Sequence, residues 1–295
     1  MMRIHLLGTG TPTPSLRRMC SSYLLRVGGA TILFDHGFGA HQRLIELNVA
    51  PTAVTHLFLS HHHYDHMGDV ARLVLTRWDQ GAGHIPELKV YGPPPLARIA
   101  ERLFGDDGAF GPDLISRTQH QASLDVYRAR GGSGDRTKPQ PELVELAPNQ
   151  RVEEDGWSVR AAAVAHFGPH LVCYGYRLDT PEGSFVYSGD TGPCAAMRRL
   201  AEDCDVLVHM CHYLSGSAPS KAFAQSVTGH LELAELAAAA RVRTLVLSHI
   251  SEQFDRPGMK ERVVTEMSRV FSGHIIFGED LMEIPLQGPM PAVLR

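Results

Sequence analysis

The segment Ser60-His-His-His-Tyr-Asp-His-Met-Gly68 constrains this chain more than any other stretch, because it sets His61, His63, Asp65 and His66 in the spacing H-x-H-x-D-H. The apolar run Thr55-His-Leu-Phe-Leu59 before it reads as a buried strand, and Val70-Ala-Arg-Leu-Val-Leu75 after it reads as a helix. The histidine loop therefore lies at a strand's carboxyl end. Imidazole nitrogens and a carboxylate form a donor set that suits zinc. Packing so many titratable groups side by side brings a fold no structural gain. The segment is thus read as a metal-binding loop and not as a surface histidine cluster, even in a chain with 17 histidines among 295 residues.

The same design recurs further along. Ala165-His166-Phe-Gly168, Tyr187-Ser-Gly-Asp190-Thr-Gly192 and Leu247-Ser-His249-Ile each close a run that reads as a strand. Strands are expected near residues 3 to 8, 22 to 27, 31 to 35, 55 to 59, 87 to 91, 157 to 165, 172 to 178, 184 to 188, 205 to 209 and 243 to 248. Helices are expected near 38 to 47, 66 to 77, 94 to 104, 195 to 202, 231 to 240 and 258 to 269. Residues 105 to 141 break this alternation with turn-rich, glycine- and proline-containing sequence, and read as an irregular surface excursion, either one that shapes the pocket mouth through Phe104, Phe110 or Tyr127 or a plain disordered insertion. Residues 1-295 are otherwise read as one domain with a substantial core, given 43% hydrophobic and 20% charged residues. No run is long enough to span a membrane, and the start Met1-Met-Arg-Ile-His-Leu-Leu-Gly enters a strand with no leader pattern, so a cytoplasmic protein without membrane contact is expected. The five cysteines, Cys20, Cys173, Cys194, Cys204 and Cys211, are odd in number and lack paired spacing, which points to reduced thiols.

Taken in order, Leu6-Leu-Gly-Thr-Gly-Thr-Pro12, Ser21-Ser-Tyr-Leu-Leu25, Ile32-Leu-Phe-Asp35-His-Gly37, the histidine loop, His166, Ser188-Gly-Asp190-Thr191, Gly229-His230 and Ser248-His249-Ile250 resemble the metallo-β-lactamase superfamily over nearly the whole chain. Within it they resemble the tRNase Z/arylsulfatase-like branch. The resemblance implies an α+β fold, a four-layer αββα sandwich with its metal motifs on one edge. It implies that His61, His63 and His166 hold one divalent metal ion, that Asp65, His66 and His249 hold a second, and that Asp190 bridges the two. Zinc is favoured, with manganese or iron as the other ions such ligands hold. Asp65 and His230 are the catalytic candidates, His230 by assisting an oxyanion or protonating a leaving group. Asp35 is expected to brace ligating side chains. His62 reads as a solvated residue or one outside the ligand set, and His209 as a core residue. His212 is a residue that could face the pocket.

Three departures from the tRNA-processing pattern steer the expected substrate. Those members carry a long arm between the positions matching His166 and Asp190, and this interval leaves no room for it. They carry a glutamate where Met210 stands, so the usual acid partner of His230 is missing. The formal net charge is −4, with no lysine or arginine stripe to neutralise a polynucleotide. The expectation is a dinuclear-metal hydrolase of a small molecule, in which a metal-bridged hydroxide attacks an ester- or lactone-like carbonyl. A phosphodiesterase or arylsulfatase comes second, and an iron-dependent redox enzyme is the reading from another class. Nucleic acid is disfavoured as a partner, and a homodimer is expected from the habit of relatives.

Overall fold

Alternate residues of the strands face two different apolar surroundings, and this dictates the layers. In the computed structural model, which describes residues 2–286, two seven-stranded sheets stack face to face. The first has the order β14-β1-β2-β3-β4-β5-β6, from β1 (Arg3–Gly8), β2 (Ser22–Val27), β3 (Ala30–Phe34), β4 (His56–Phe58), β5 (Lys89–Gly92), β6 (Glu142–Glu145) and the late β14 (Glu283–Ile284). The second has the order β13-β12-β11-β10-β9-β8-β7, from β7 (Arg151–Glu154), β8 (Trp157–Ala163), β9 (Tyr174–Thr180), β10 (Gly183–Tyr187), β11 (Val206–Met210), β12 (Thr244–Ser248) and β13 (His274–Phe277).

On β2, Tyr23 and Leu25 enter the layer between the sheets while Leu24 faces the other way. On β11, Val206 and Val208 point inward and Leu207 outward. Strands apolar on both faces are stable only when both are covered. Helices α1 (Ala40–Glu46), α2 (Tyr64–Met67), α3 (Val70–Gly81), α4 (Leu96–Phe104), α5 (Gly111–Gln119) and α6 (Gln121–Ala129) follow strands of the first sheet. Leu44 of α1, Val70, Leu73 and Val74 of α3, and Leu96 of α4 cover its outer face. The α3 residues recur at helical spacing. Helices α7 (Ala195–Leu200), α8 (Lys221–Ser226), α9 (His230–Ala239) and α10 (Met259–Met267) accompany the second sheet, which Met197, Leu233, Ala237 and Val263 cover. The αββα sandwich expected from the sequence is the fold observed.

β3 to β6 pair in parallel, as do β10 to β13. Their carboxyl ends gather at one edge, where side chains on the following loops can converge.

Two expectations change. The helix expected over 66 to 77 is split into α2 and α3 around Gly68 and Asp69. The segment 105 to 141 contains α5 and α6, and Pro112 opens α5 instead of marking a turn. One carboxylate pins these helices to α3: Asp79 accepts from Arg117 at 3.1 Å and from Arg130 and Arg136 at 2.6 Å each. Arg136 also stacks 4.1 Å from the Trp78 ring centroid and 5.3 Å from that of Tyr127. Phe104 and Tyr127 are buried, and Phe110 packs against Phe104. All five cysteines are free thiols. No helix among the described residues is long and apolar enough to cross a membrane.

Candidate metal centre

The seven residues assigned to metal on resemblance meet at the shared edge of the sheets. His61, His63, His166 and Asp190 each bring one ligand atom within 4.8 Å of the others, and Asp65, His66 and His249 form a second such group. Asp190 Oδ2 also lies 3.2 Å from His249 Nε2, 3.5 Å from His66 Nε2 and 3.7 Å from His166 Nε2, which puts it between the groups. The turns that deliver these side chains are unusual. Gly189 has φ 56°, and a Cβ there would lie 2.5 Å from the Tyr174 carbonyl oxygen. Glycine alone lets the chain bend and present Asp190. Asp35 and His249 adopt the left-handed region without being glycine, at φ 56° and 49°. Such backbone costs roughly 1 kcal/mol or more and persists only where surrounding structure enforces it.

Hydrogen bonds facing away from the centre decide which ring nitrogens carry protons. His166 Nδ1 lies 2.7 Å from the Ser226 carbonyl oxygen, which only accepts, so Nδ1 donates and Nε2 presents a lone pair. His66 Nδ1 donates to Asp35 Oδ2 at 2.7 Å. Ser60 Oγ donates to the same Asp35 oxygen at 2.7 Å and therefore accepts from His61 Nδ1 at 2.9 Å. His61 Nε2 and His166 Nε2 thus both aim lone pairs at His63 Nδ1, at 3.0 Å and 3.4 Å, and that nitrogen has at most one proton to give them. His66 Nε2 and Asp190 Oδ1 are buried without a hydrogen-bond partner among the described residues. Buried polar atoms left unpaired are costly, and lone pairs aimed at one another repel. A cation satisfies both, so the residues present fit a metal ion.

The electrostatics agree. Burial holds His61 in its neutral form, well below the usual imidazole range. Burial opposes charge on Asp190, but His249 and His66 outweigh it and keep the carboxylate ionised well below its usual range. Burial likewise opposes a charged His66, yet Asp190 and Asp35 hold its pKa well above the imidazole range. Carboxylates that draw positive charge this strongly are suited to cations.

Asp35 does what resemblance implies of it. Fully buried, it accepts from the Ser60 amide and hydroxyl, from His66 and from the Tyr187 hydroxyl at 2.6 Å. Tyr187 belongs to the opposite sheet. Tyr176 Oη donates to the Leu59 carbonyl oxygen at 2.7 Å, and Tyr23 Oη pairs with Ser248 Oγ at 2.7 Å, so tyrosine hydroxyls cross the seam beneath the ligands.

His230 is placed differently. Its Nδ1 accepts from the Ser215 amide at 3.0 Å, and its Nε2 pairs with Glu266 of α10 at 2.8 Å. It is buried, and no hydrogen bond or ring contact among the described residues joins it to the ligand groups. The acid partner that Met210 fails to provide thus comes from a helix distant in sequence. His212 instead reaches the centre, with Nδ1 3.2 Å from His249 Nδ1. His249 Nε2 faces Asp65 Oδ2 at 3.3 Å and Asp190 Oδ2 at 3.2 Å; with a cation on that nitrogen the ring proton would sit on Nδ1, where His212 Nδ1 is placed to accept it. His209 is buried with Nδ1 on the Met210 carbonyl oxygen, and burial lowers it to about 4. His62 is half-buried, and its ring nitrogens have no partner among the described residues. Sequence reasoning passed over Phe38 and Phe167, which border the site; their signal was their position directly after Gly37 and His166.

The family described as Metallo-beta-lactamase superfamily matches residues 16–249. A Ribonuclease Z of Mycobacterium sp. (strain KMS) is 32% identical over 290 residues, covering 96% of this chain and 96% of that protein. A Ribonuclease Z of Mycobacterium avium (strain 104) is 30% identical, covering 98% of this chain and all of the other. Among solved structures, the metallo-beta-lactamase fold protein YhfI from Bacillus subtilis superposes with a TM-score of 0.71 at 18% identity, covering 96% and 98% of the two chains. Human tRNase Z, short form, gives 0.68 at 19% identity, covering 97% and 100%.

Proposed function

This chain belongs to the metallo-beta-lactamase superfamily and is a metal-dependent hydrolase, and from that premise we propose that it cleaves a phosphodiester bond of RNA, of the kind the name ribonuclease Z denotes. The observation that carries the reading is the end-to-end match to proteins of that name. It overturns the expectation of a small ester or lactone substrate, and with it the expectation that nucleic acid is a disfavoured partner. The reasons for that expectation fail physically. Relatives of about the same length carry the name, so a long arm is no requirement of it. Glu266 supplies a carboxylate to His230 in place of the residue at Met210. Net charge is a global sum and says little about the field at a site where cations meet phosphate.

When bound, two divalent ions, zinc by the donor set, supply Lewis acidity toward phosphoryl oxygens and a water of lowered pKa. His61, His63 and His166 would hold one ion, Asp65, His66 and His249 the other, with Asp190 shared. Asp65 is drawn below the usual carboxylate range by His249 and His66 against the cost of burial, so it stays ionised and can orient a water by accepting its proton in a hydrogen bond. Asp35, through Ser60 and His66, fixes the rings that point inward. His230, with both nitrogens engaged, enters as a positioning residue at the start of α9. The free thiols fit a reducing compartment, and the cytoplasm is the proposed location.

The test pairs elemental analysis with turnover on a precursor tRNA bearing a 3′ trailer, a lactone, an aryl ester and a bis-aryl phosphodiester. Two zinc ions per chain and cleavage of the RNA that chelation abolishes are expected. Faster hydrolysis of the carbonyl substrates, with the RNA left intact, refutes the reading.

A further inference from the structure

Aromatic rings in this fold are buried almost throughout, and the exceptions share one location. Among the described residues, the large aromatic side chains that stay exposed are Phe38, Tyr64 and Phe167, at 49%, 59% and 49%. Tyr64 stands between the ligands His63 and Asp65. Phe167 follows His166, with its ring centroid 4.4 Å from that of His166 and 5.6 Å from that of His63. Phe38 lies 6.1 Å from Tyr64, the rings tilted by 49°.

These rings are seated, not loose. The Phe38 ring lies over Gly68, where an added Cβ would come within 2.7 Å of three ring atoms. Phe167 is held at φ 40°, a region a bulky residue enters only when its surroundings enforce it. The Phe38 ring is thus backed by Gly68 and the Phe167 ring by His166, and all three rings leave much of their surface to solvent beside the ligand groups. Exposed apolar surface grouped in this way marks a binding site.

We propose that Phe167 and the Phe38–Tyr64 pair form a stacking platform for unpaired nucleobases that flank the scissile phosphate. The inference rests on the reading of the substrate as RNA. Stacking on aromatic rings holds single-stranded nucleic acid whatever its sequence, because every base offers a π face. It also suits a chain with formal net charge −4, since affinity then comes from rings and from the cations at the centre more than from a basic stripe. The platform selects substrates that are single-stranded at the cut.

The experiment measures equilibrium binding of a fluorescent single-stranded RNA to the zinc-loaded protein. A phosphonate at the junction resists hydrolysis, and each flanking position carries either a base or an abasic sugar. Wild type is expected to prefer the base-bearing RNA by roughly tenfold per stacked base. In Phe167→Ala and in the double variant Phe38→Ala/Tyr64→Ala that ratio should fall toward one, while Phe167→Tyr, which keeps the ring, should retain it. Equal binding of base-bearing and abasic RNA by wild type, no detectable RNA binding, or an unchanged ratio in the alanine variants overturns the proposal. Cleavage of an unmodified RNA by the same preparations tests the ribonuclease reading separately. A base preference without cleavage leaves the platform standing and removes that reading, and cleavage without preference does the reverse.

Discussion

Replacing Asp35 by asparagine should loosen the metal centre without unfolding the protein. Asp35 Oδ1 accepts one donor, the Ser60 amide, and Oδ2 accepts three, from Ser60 Oγ, His66 and Tyr187. An amide can satisfy the three by turning its oxygen toward them, but its NH2 then confronts the Ser60 N–H. Two buried donor groups are left unpaired, the Ser60 N–H and the new NH2, at about 1–3 kcal/mol each, and the remaining bonds lose the strength that a charged acceptor gives, about another 1 kcal/mol. The total, about 3–7 kcal/mol, is large against a typical stability of about 5–15 kcal/mol but stays within that range. Alanine would strand all four donors and is expected to unfold the chain. Because His66 loses the anion that fixes its orientation, metal affinity should fall about 10- to 100-fold. Urea unfolding of the metal-stripped protein isolates the first effect, and zinc competition against a chelator isolates the second. An Asp35→Asn protein with wild-type zinc affinity would refute the argument that the carboxylate organises the ligands, and unchanged urea stability would refute the hydrogen-bond count.

Further outcomes follow from the same geometry. His212→Ala should weaken one of two zinc ions about tenfold, because His249 loses the acceptor for its Nδ1 proton; two unaltered steps in a zinc titration would show that the contact has no such role. Burial lowers His209 from the usual imidazole value of about 6.5 to about 4, so the unfolded chain binds the extra proton between these values. Its contribution is complete above the unfolded value and is lost as pH falls toward the folded one. Metal-stripped protein should therefore lose about 1–2 kcal/mol from this group between pH 6.5 and pH 5, and a flat urea midpoint over that window would contradict it. Asp79→Asn should leave the buried Arg136 without its carboxylate, at about 3 kcal/mol, and speed limited proteolysis between residues 105 and 141. Cleavage at the wild-type rate would mean that the three arginines do not pin α5 and α6.

The ligand set was readable because four of its seven members close an apolar run and the other three share the H-x-H-x-D-H loop with the first of them, so strand periodicity and ligand type reinforce one another. His61, His166, Asp190 and His249 all show this. The strands missed in sequence are short or bury little: β6 and β7 mix half-buried with exposed residues, β13 is mostly half-buried, and β14 has only two residues. The helices α5 and α6 were hidden by the glycines and prolines around them, residues that open or end helices as well as break them. The pairing of His230 with Glu266 joins residues 36 apart on different helices, which no spacing rule anticipates. The substrate was misjudged because charge was summed over the chain, while aromatic rings at Phe38 and Phe167 went unweighed.

The seam crossed by Tyr23, Tyr176 and Tyr187 makes the two halves of the chain answer for a single measurement. Residues 61 to 66 hang from one sheet, and His166, Asp190 and His249 from the other, so the gap between ligands is set by how far the sheets can slide. Those hydroxyls act as a gauge held between two plates. Loops and rims outside the seam are then free to be exchanged, lengthened or re-lined over evolutionary time without resetting the distance at which the ions would sit.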